Sequence, residues 1–203
     1  GKVYQQEYEI GKPLYDVKEV GTTDKTGTVI EFLPDSSIFI VSEYSYDILS
    51  TRLRELSFLN KGVGLNLTDK RQLDEQGNPK STRFYSEEGL KEFVEYLDGT
   101  RETLIENVIH VSTIKNDVPV EIALQYNTSF SENIHSYVNN INTIEGGTHL
   151  TGFRRGLTRT LKNYADESGL LSKLKFEISG DDFREGLTAI ISVNVAEPQF
   201  EGQ

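Results

Sequence analysis

The chain of 203 residues carries 21 Lys and Arg against 32 Asp and Glu, a formal charge of -11, and has neither cysteine nor methionine. That length suffices for one large domain or two small ones with a core that needs no staples, and the missing cysteine excludes thiol chemistry, thiolate metal sites and disulfides. The acidic balance excludes a broad, sequence-blind nucleic-acid coat, which needs clustered Lys and Arg, and leaves only local basic patches open.

In chain order, residues 2–10 and 27–33 ("GTVIEFL") read as two strands of a hairpin-like pair joined through turn chemistry in "VGTTDKTGT". Pro34-Asp35-Ser36-Ser37 breaks the second strand, and Ser42 is placed to cap a helix over 43–59, where Tyr46, Leu49, Leu53, Leu56 and Leu59 form one apolar stripe. Val63–Leu67 and Thr82–Tyr85 alternate as strands around "DKRQLDEQGNPKS", a polar stretch expected to be an exposed, mobile loop. A second helix follows, with Leu90, Phe93, Val94 and Leu97 on one face, and a domain boundary is expected near residue 88.

"VIHVSTIKNDVPVEIALQYN" predicts two strands around Lys115-Asn116-Asp117, "SYVNNI" a third, and "LTAIISVNVA" a buried one, together an antiparallel sheet. "LSKLKFEIS" predicts a short helical turn running into a strand. No internal repeat or low-complexity segment is present, and no apolar run approaches the ~18 residues that span a bilayer.

"EGGTHLTGFRRGLTRTL" at 145–161 carries the most chemistry. Gly146-Gly147 permits a tight approach, Thr148 is the expected N-cap, and Leu150, Phe153, Leu157, Leu161 and Tyr164 share one helical face. Arg155, Arg159 and Lys162 fall nearly opposite, with Arg154 on the flank. A solvated basic face is the plain reading, but in so acidic a chain a concentrated basic face is informative. His149 at the helix start is catalytic only with an acid and a nucleophile in reach, and His110 and His135 lack ligand spacing. Asp181, Asp182 and Glu185 in "SGDDFREGL" offer a carboxylate cluster or magnesium site, against which stands an ordinary turn with a local Arg184–Glu185 pair. No P-loop or dinucleotide-binding glycine motif occurs.

Taken together, "KTGTVIEFLPD", "RLRELSFLNKGVGLNLTD", "FVEYL", "ENIHSYVNNINTIEGGTHLTGFRRGLTRTL", "DDFREGLTAIISV" and "PQFEGQ" resemble the gyrase B family, the ATPase subunits of bacterial DNA gyrase, a type IIA topoisomerase, in order and across almost the whole chain. The resemblance implies an α+β fold: residues 1–88 as the C-terminal portion of a GHKL-type ATP-binding α/β sandwich, and residues 89–203 as a transducer domain like ribosomal protein S5 domain 2, with a left-handed βαβ crossover against the usual rule. It also implies that the chain is a fragment of the ATPase subunit, coupling ATP binding and hydrolysis to DNA strand passage and negative supercoiling.

The family's catalytic Glu, magnesium-binding Asn and adenine-binding Asp precede the first residue, so the fragment is expected to be inactive alone, with no catalytic or metal-binding residue. Gly27 and Thr28 match the segment lining the adenine pocket, and Gln203 matches the glutamine that reports the γ-phosphate. Arg154 matches an arginine of the DNA cavity, with Arg155 and Arg159 beside it, and His149 becomes structural. The resemblance implies ATP and Mg2+ as cofactors of the full-length protein, and gyrase A, double-stranded DNA and a second copy of gyrase B as partners. The fragment is expected to be monomeric, cytoplasmic and free of membrane. The rival readings are the equivalent subunit of topoisomerase IV, a non-catalytic binding module with the transducer fold, and a histidine-dependent hydrolase.

Overall fold

The computed structural model of the chain describes residues 1–174 and 176–200, which fall into two units, Gly1–Ser45 and Tyr46–Gln203. In the first, strand β1 (Lys2–Gln5) pairs antiparallel with β4 (Lys18–Thr22), and between them β2 (Tyr8–Glu9) and β3 (Lys12–Pro13) close a small hairpin. Its turn places Ile10 and Gly11 at φ 50° and 73°, the left-handed pair that a two-residue hairpin requires.

The partner of β1 is therefore not the expected strand at 27–33. That stretch joins no ladder among the described residues, and Val29, Ile30 and Leu33 stand exposed. Apolar alternation marks what a strand would bury, whereas a strand exists only when a neighbour takes its N–H and C=O groups. The break at Pro34 is made as its residues suggest, with Asp35 accepting the Ser37 amide at 2.8 Å and its hydroxyl at 2.6 Å.

The second unit begins with helix α1 (Tyr46–Leu59), which starts later than expected, so Ser42 does not cap it. Strands β5 (Leu65–Leu73) and β6 (Pro79–Phe84) pair antiparallel, and most of the polar stretch read as a mobile loop is ladder. Only a short turn remains, tied by Asp74, whose carboxylate accepts the amides of Gln76 and Asn78 at 2.9 and 2.8 Å. Helix α2 (Leu90–Asp98) buries Leu90, Phe93 and Val94 as its spacing predicts, and Phe58 of α1 stacks on Phe93 at 5.0 Å between ring centroids.

Five strands make the main sheet: β7 (Ile109–Lys115), β8 (Val118–Tyr126), β9 (Asn133–Val138), β10 (Ile141–Asn142) and β11 (Leu187–Val193), in the order β10-β9-β11-β8-β7. Asn116-Asp117 (φ 49° and 62°) and Asn139-Asn140 (φ 50° and 64°) make the two tight hairpin turns. The sheet is mixed rather than antiparallel, because β11 runs parallel to β9 while antiparallel to β8. Between β10 and β11 the chain crosses back through helix α3 (Thr148–Glu167), a connection long enough to bring β11 alongside β9 in the same direction.

α2 covers one sheet face, packing on Ala123, Tyr137 and Ile190. Phe153 and Leu157 of α3 cover the other with Leu124, Leu187 and Ala189, and Leu150 joins Phe153 against Val138, Ile191 and Val193. With helices on both faces, β11 is buried at every position, which is why it reads as a mostly apolar run broken only by Thr188 and Ser192. The whole is an α+β architecture. The turn Leu171–Lys173 forms, but no strand follows it among the described residues, and Lys175 lies outside them.

Candidate nucleic-acid interface

α3 is seated by its approach. Gly146 and Gly147 both have positive φ, 83° and 154°, and a Cβ on Gly147 would come within 2.9 Å of the His149 ring. Thr148 is the first helical residue rather than the cap, and Gly147 precedes it without a side-chain capping bond. Instead, His149 Nε2 and Thr143 Oγ1 share a hydrogen bond of 3.1 Å, while the Thr143 hydroxyl also donates to the Ser136 carbonyl at 2.9 Å. The helix start is thereby tied to β9. Burial lowers the proton affinity of His149, which favours the neutral ring. No carboxylate is bonded to that ring among the described residues, and the bond it does make, to Thr143, serves to seat the helix.

Leu150, Phe153 and Leu157 face the sheet as their spacing predicts, but the stripe does not continue to Tyr164, which is exposed. Ala165 is the buried residue of that last turn. On the outer face, Arg155, Arg159 and Lys162 are all exposed, and none forms a salt bridge among the described residues. The helix therefore presents three exposed cations, at i, i+4 and i+7, with no salt bridge to a carboxylate among the described residues.

Arg154 differs. Its Nε and Nη2 both donate to Glu132 Oε1, at 2.6 and 2.5 Å, and Glu132 Oε2 accepts from Arg184 Nε at 2.9 Å. Arg184 is anchored further by bonds of 2.8 Å to Thr158 Oγ1 and to the Gly180 carbonyl, and it pairs with Asp181. The local Arg184–Glu185 pair expected from the sequence is replaced by these longer-range contacts. Asp182 accepts the Ser179 amide at 2.7 Å, which holds its carboxyl below the usual range, so the Asp181-Asp182 stretch is a tied turn. Neither Glu132 nor the role of Arg184 is visible in sequence, since 22 and 52 residues separate the paired positions.

Gly27 and Thr28 belong to the unit Gly1–Ser45, and Gln203 lies outside the described residues. The described residues hold no group of three or more His, Cys, Asp or Glu placed to bind a metal.

A mixed sheet covered by α2 on one face and by a basic helix on the other is a fold this chain shares with solved ATP-binding domains of topoisomerase IV and gyrase B. The fold matches the ATP-binding domain of Francisella tularensis topoisomerase IV, at 23% identity and TM-score 0.71 over all of this chain and 54% of that one. It matches the 43K ATPase domain of Thermus thermophilus gyrase B, solved with an aminocoumarin, at 32% identity and TM-score 0.80, covering all of this chain and 54% of that one.

The chain belongs to the DNA gyrase B family, whose family model matches residues 89–203. The DNA gyrase B protein of Cytophaga hutchinsonii is 63% identical over 203 residues, all of this chain and 42% of the relative. That of Halalkalibacterium halodurans is 50% identical over 204 residues, all of this chain and 31% of the relative. The chain thus spans less than half the length of these relatives.

Proposed function

We propose that this chain joins nucleotide state to DNA within a gyrase that uses ATP binding and hydrolysis to pass one duplex through another and introduce negative supercoils. In this reading residues 1–88 are the C-terminal part of a GHKL ATP-binding domain, with Gly27 and Thr28 beside the adenine. Residues 89–203 are the transducer, ending in Gln203 as sensor of the γ-phosphate. Arg154, Arg155 and Arg159 face the captured duplex. ATP and Mg2+ act in the full-length protein, and gyrase A, DNA and a second copy of gyrase B complete a cytoplasmic assembly.

The observation that carries the reading is the unneutralised edge of α3. In a chain of charge -11, three exposed cations on one helix face have no carboxylate partner among the described residues. Such an arrangement costs self-repulsion unless an anion is met there, and an edge of regularly spaced cations suits a phosphate backbone.

The test is a full-length gyrase B carrying Arg155→Gln and Arg159→Gln, assembled with gyrase A. Loss of two phosphate contacts flattens the slope of log binding constant against log salt by about 1.8 and lowers DNA-stimulated ATP turnover. A wild-type slope and wild-type stimulation would return the helix face to ordinary solvated surface. Supercoiling without preferential decatenation by the wild-type assembly separates the gyrase reading from the topoisomerase IV one.

A further inference from the structure

The three arginines assigned to DNA are not equivalent, because Arg154 alone already holds an anion. We propose that Glu132 is a carboxylate latch on Arg154: it occupies the edge of the guanidinium that would receive a DNA phosphate, so that the duplex engages Arg154 only by displacing a carboxylate seated there. The proposal rests on the reading of α3 as a DNA-facing helix.

The geometry supports it in three ways. First, Arg154 commits Nε and Nη2, adjacent donors along one edge of the guanidinium, to the single oxygen Glu132 Oε1. A phosphate oxygen competes for the same kind of donor edge, being planar-fork chemistry shared by the two anions. Second, Glu132 is not left without a partner when Arg154 departs. Its Oε2 stays on Arg184, whose side chain is 13% exposed and fixed to Thr158 Oγ1 and the Gly180 carbonyl, whereas the side chain of Arg154 is 43% exposed. The exposed arm is the one free to swing. Third, Arg155 is the next residue and Arg159 lies about one turn on, both exposed and unpaired among the described residues. They attract a phosphate backbone before Arg154 is released, so the latch makes the last contact conditional on the first ones.

Partly exposed ion pairs are weak and screened by salt, so this latch yields to the dense charge of a polyanion. Glu132 is in these terms a positioning residue that acts through Arg154.

The experiment uses full-length gyrase B in complex with gyrase A and a short duplex, with binding measured across a salt series. Glu132→Gln and Glu132→Ala both remove the competing charge, and thermal unfolding checks that each variant is folded. Either folded variant is expected to bind the duplex about three- to tenfold more tightly at low salt, with a steeper salt slope by up to about 0.9. Asp181→Asn is the charge-matched control, since Asp181 pairs with Arg184 and not with Arg154. Equal gains from Asp181→Asn and Glu132→Gln would reduce the effect to net charge and overturn the latch. So would a gain that persists when Arg154→Gln is added, or no gain at all. If Arg154→Gln alone weakens binding while the Glu132 variants do not tighten it, the latch falls and the DNA-facing reading stands. If Arg154→Gln leaves binding unchanged, Arg154 leaves the DNA surface and the latch falls with it.

Discussion

The units Gly1–Ser45 and Tyr46–Gln203 both carry apolar runs but differ in what their apolar residues meet. In the second, Leu90, Phe93, Val94, Tyr137 and Ile190 lie against one another between α2 and the sheet. In the first, Leu33 and Ile40 are 92% and 102% exposed. Burial is thus a property of covered surfaces and not of hydrophobic residues, and a strand needs a partner before its pattern has any structural effect.

The sharpest way to break that comparison is to truncate the same chemistry in both units. Phe93→Ala removes a ring stacked on Phe58 and packed near Tyr137, and is expected to cost about 3–5 kcal/mol. Leu33→Ala removes side chain already in solvent and should change stability by no more than about 0.5 kcal/mol. Urea unfolding of the two variants tests both. A large loss from Leu33→Ala would mean that the exposed run is covered in solution.

The same contrast marks how far sequence alone could reach. α2, the β7–β8 hairpin and β11 were legible because their signals are local: helical spacing of Leu90, Phe93 and Val94, an Asn-Asp turn, and a mostly apolar run. Of the β5–β6 ladder, the stretches within 63–67 and 82–85 were legible by alternation, but its extension through 68–73 and 79–81 was not, because Thr68, Lys70 and Gln72 are polar residues on a two-stranded ribbon that has no reason to look apolar. The parallel β9–β11 pairing depends on where α3 returns the chain, which no window of sequence contains. At the candidate site, the amphipathic pattern placed Arg155, Arg159 and Lys162 on the outer face. It could not show that Arg154 is claimed by Glu132, since that pairing is made by tertiary approach.

Glycine substitution gives a more sensitive comparison, because Gly11 and Gly186 share a backbone conformation, φ 73° and 72°, in different surroundings. A Cβ at Gly11 meets nothing within 4 Å, so Gly11→Ala carries only the left-handed strain, about 1 kcal/mol. At Gly186 the same atom would stand 2.4 Å from the Asn127 carbonyl and 3.0 Å from that of Ser129, both backbone. Asn127 cannot retreat freely: its amide donates to the Gly186 carbonyl at 2.8 Å and its side chain donates to Asp98 at 2.9 Å and to Thr188 at 3.1 Å. Gly186→Ala should therefore cost on the order of 3 kcal/mol, strain plus displacement of a buried network. Thermal melts showing equal effects at both glycines would mean that conformation alone decides, and that the crowding at Gly186 relaxes.

The smallest expected effect is a difference in pH response. All three histidines, His110, His135 and His149, lie in the second unit. Burial lowers the proton affinity of His135 and His149, though a nearby Glu55 opposes this at His135. Their folded pKa values thus lie below the unfolded value of about 6.5, and the unfolded chain binds more protons than the folded one as pH falls through that range. The stability they contribute is present above pH ~6.5 and is lost progressively toward their depressed folded values. In the first unit, Asp35 is lowered by the Ser37 hydroxyl and amide, and its contribution is present above about pH 4 and lost below it. Amide protection should accordingly begin to fall in β9 and the first turns of α3 as pH drops below about 6.5, while β1 and β4 hold theirs until the carboxylates titrate. Replacing His149 with Asn should remove part of the higher-pH response, since Asn has no proton to gain. If β9 and α3 lose protection only below about pH 4 in the unmodified chain, where carboxylates titrate, the burial of these two rings does not hold them neutral.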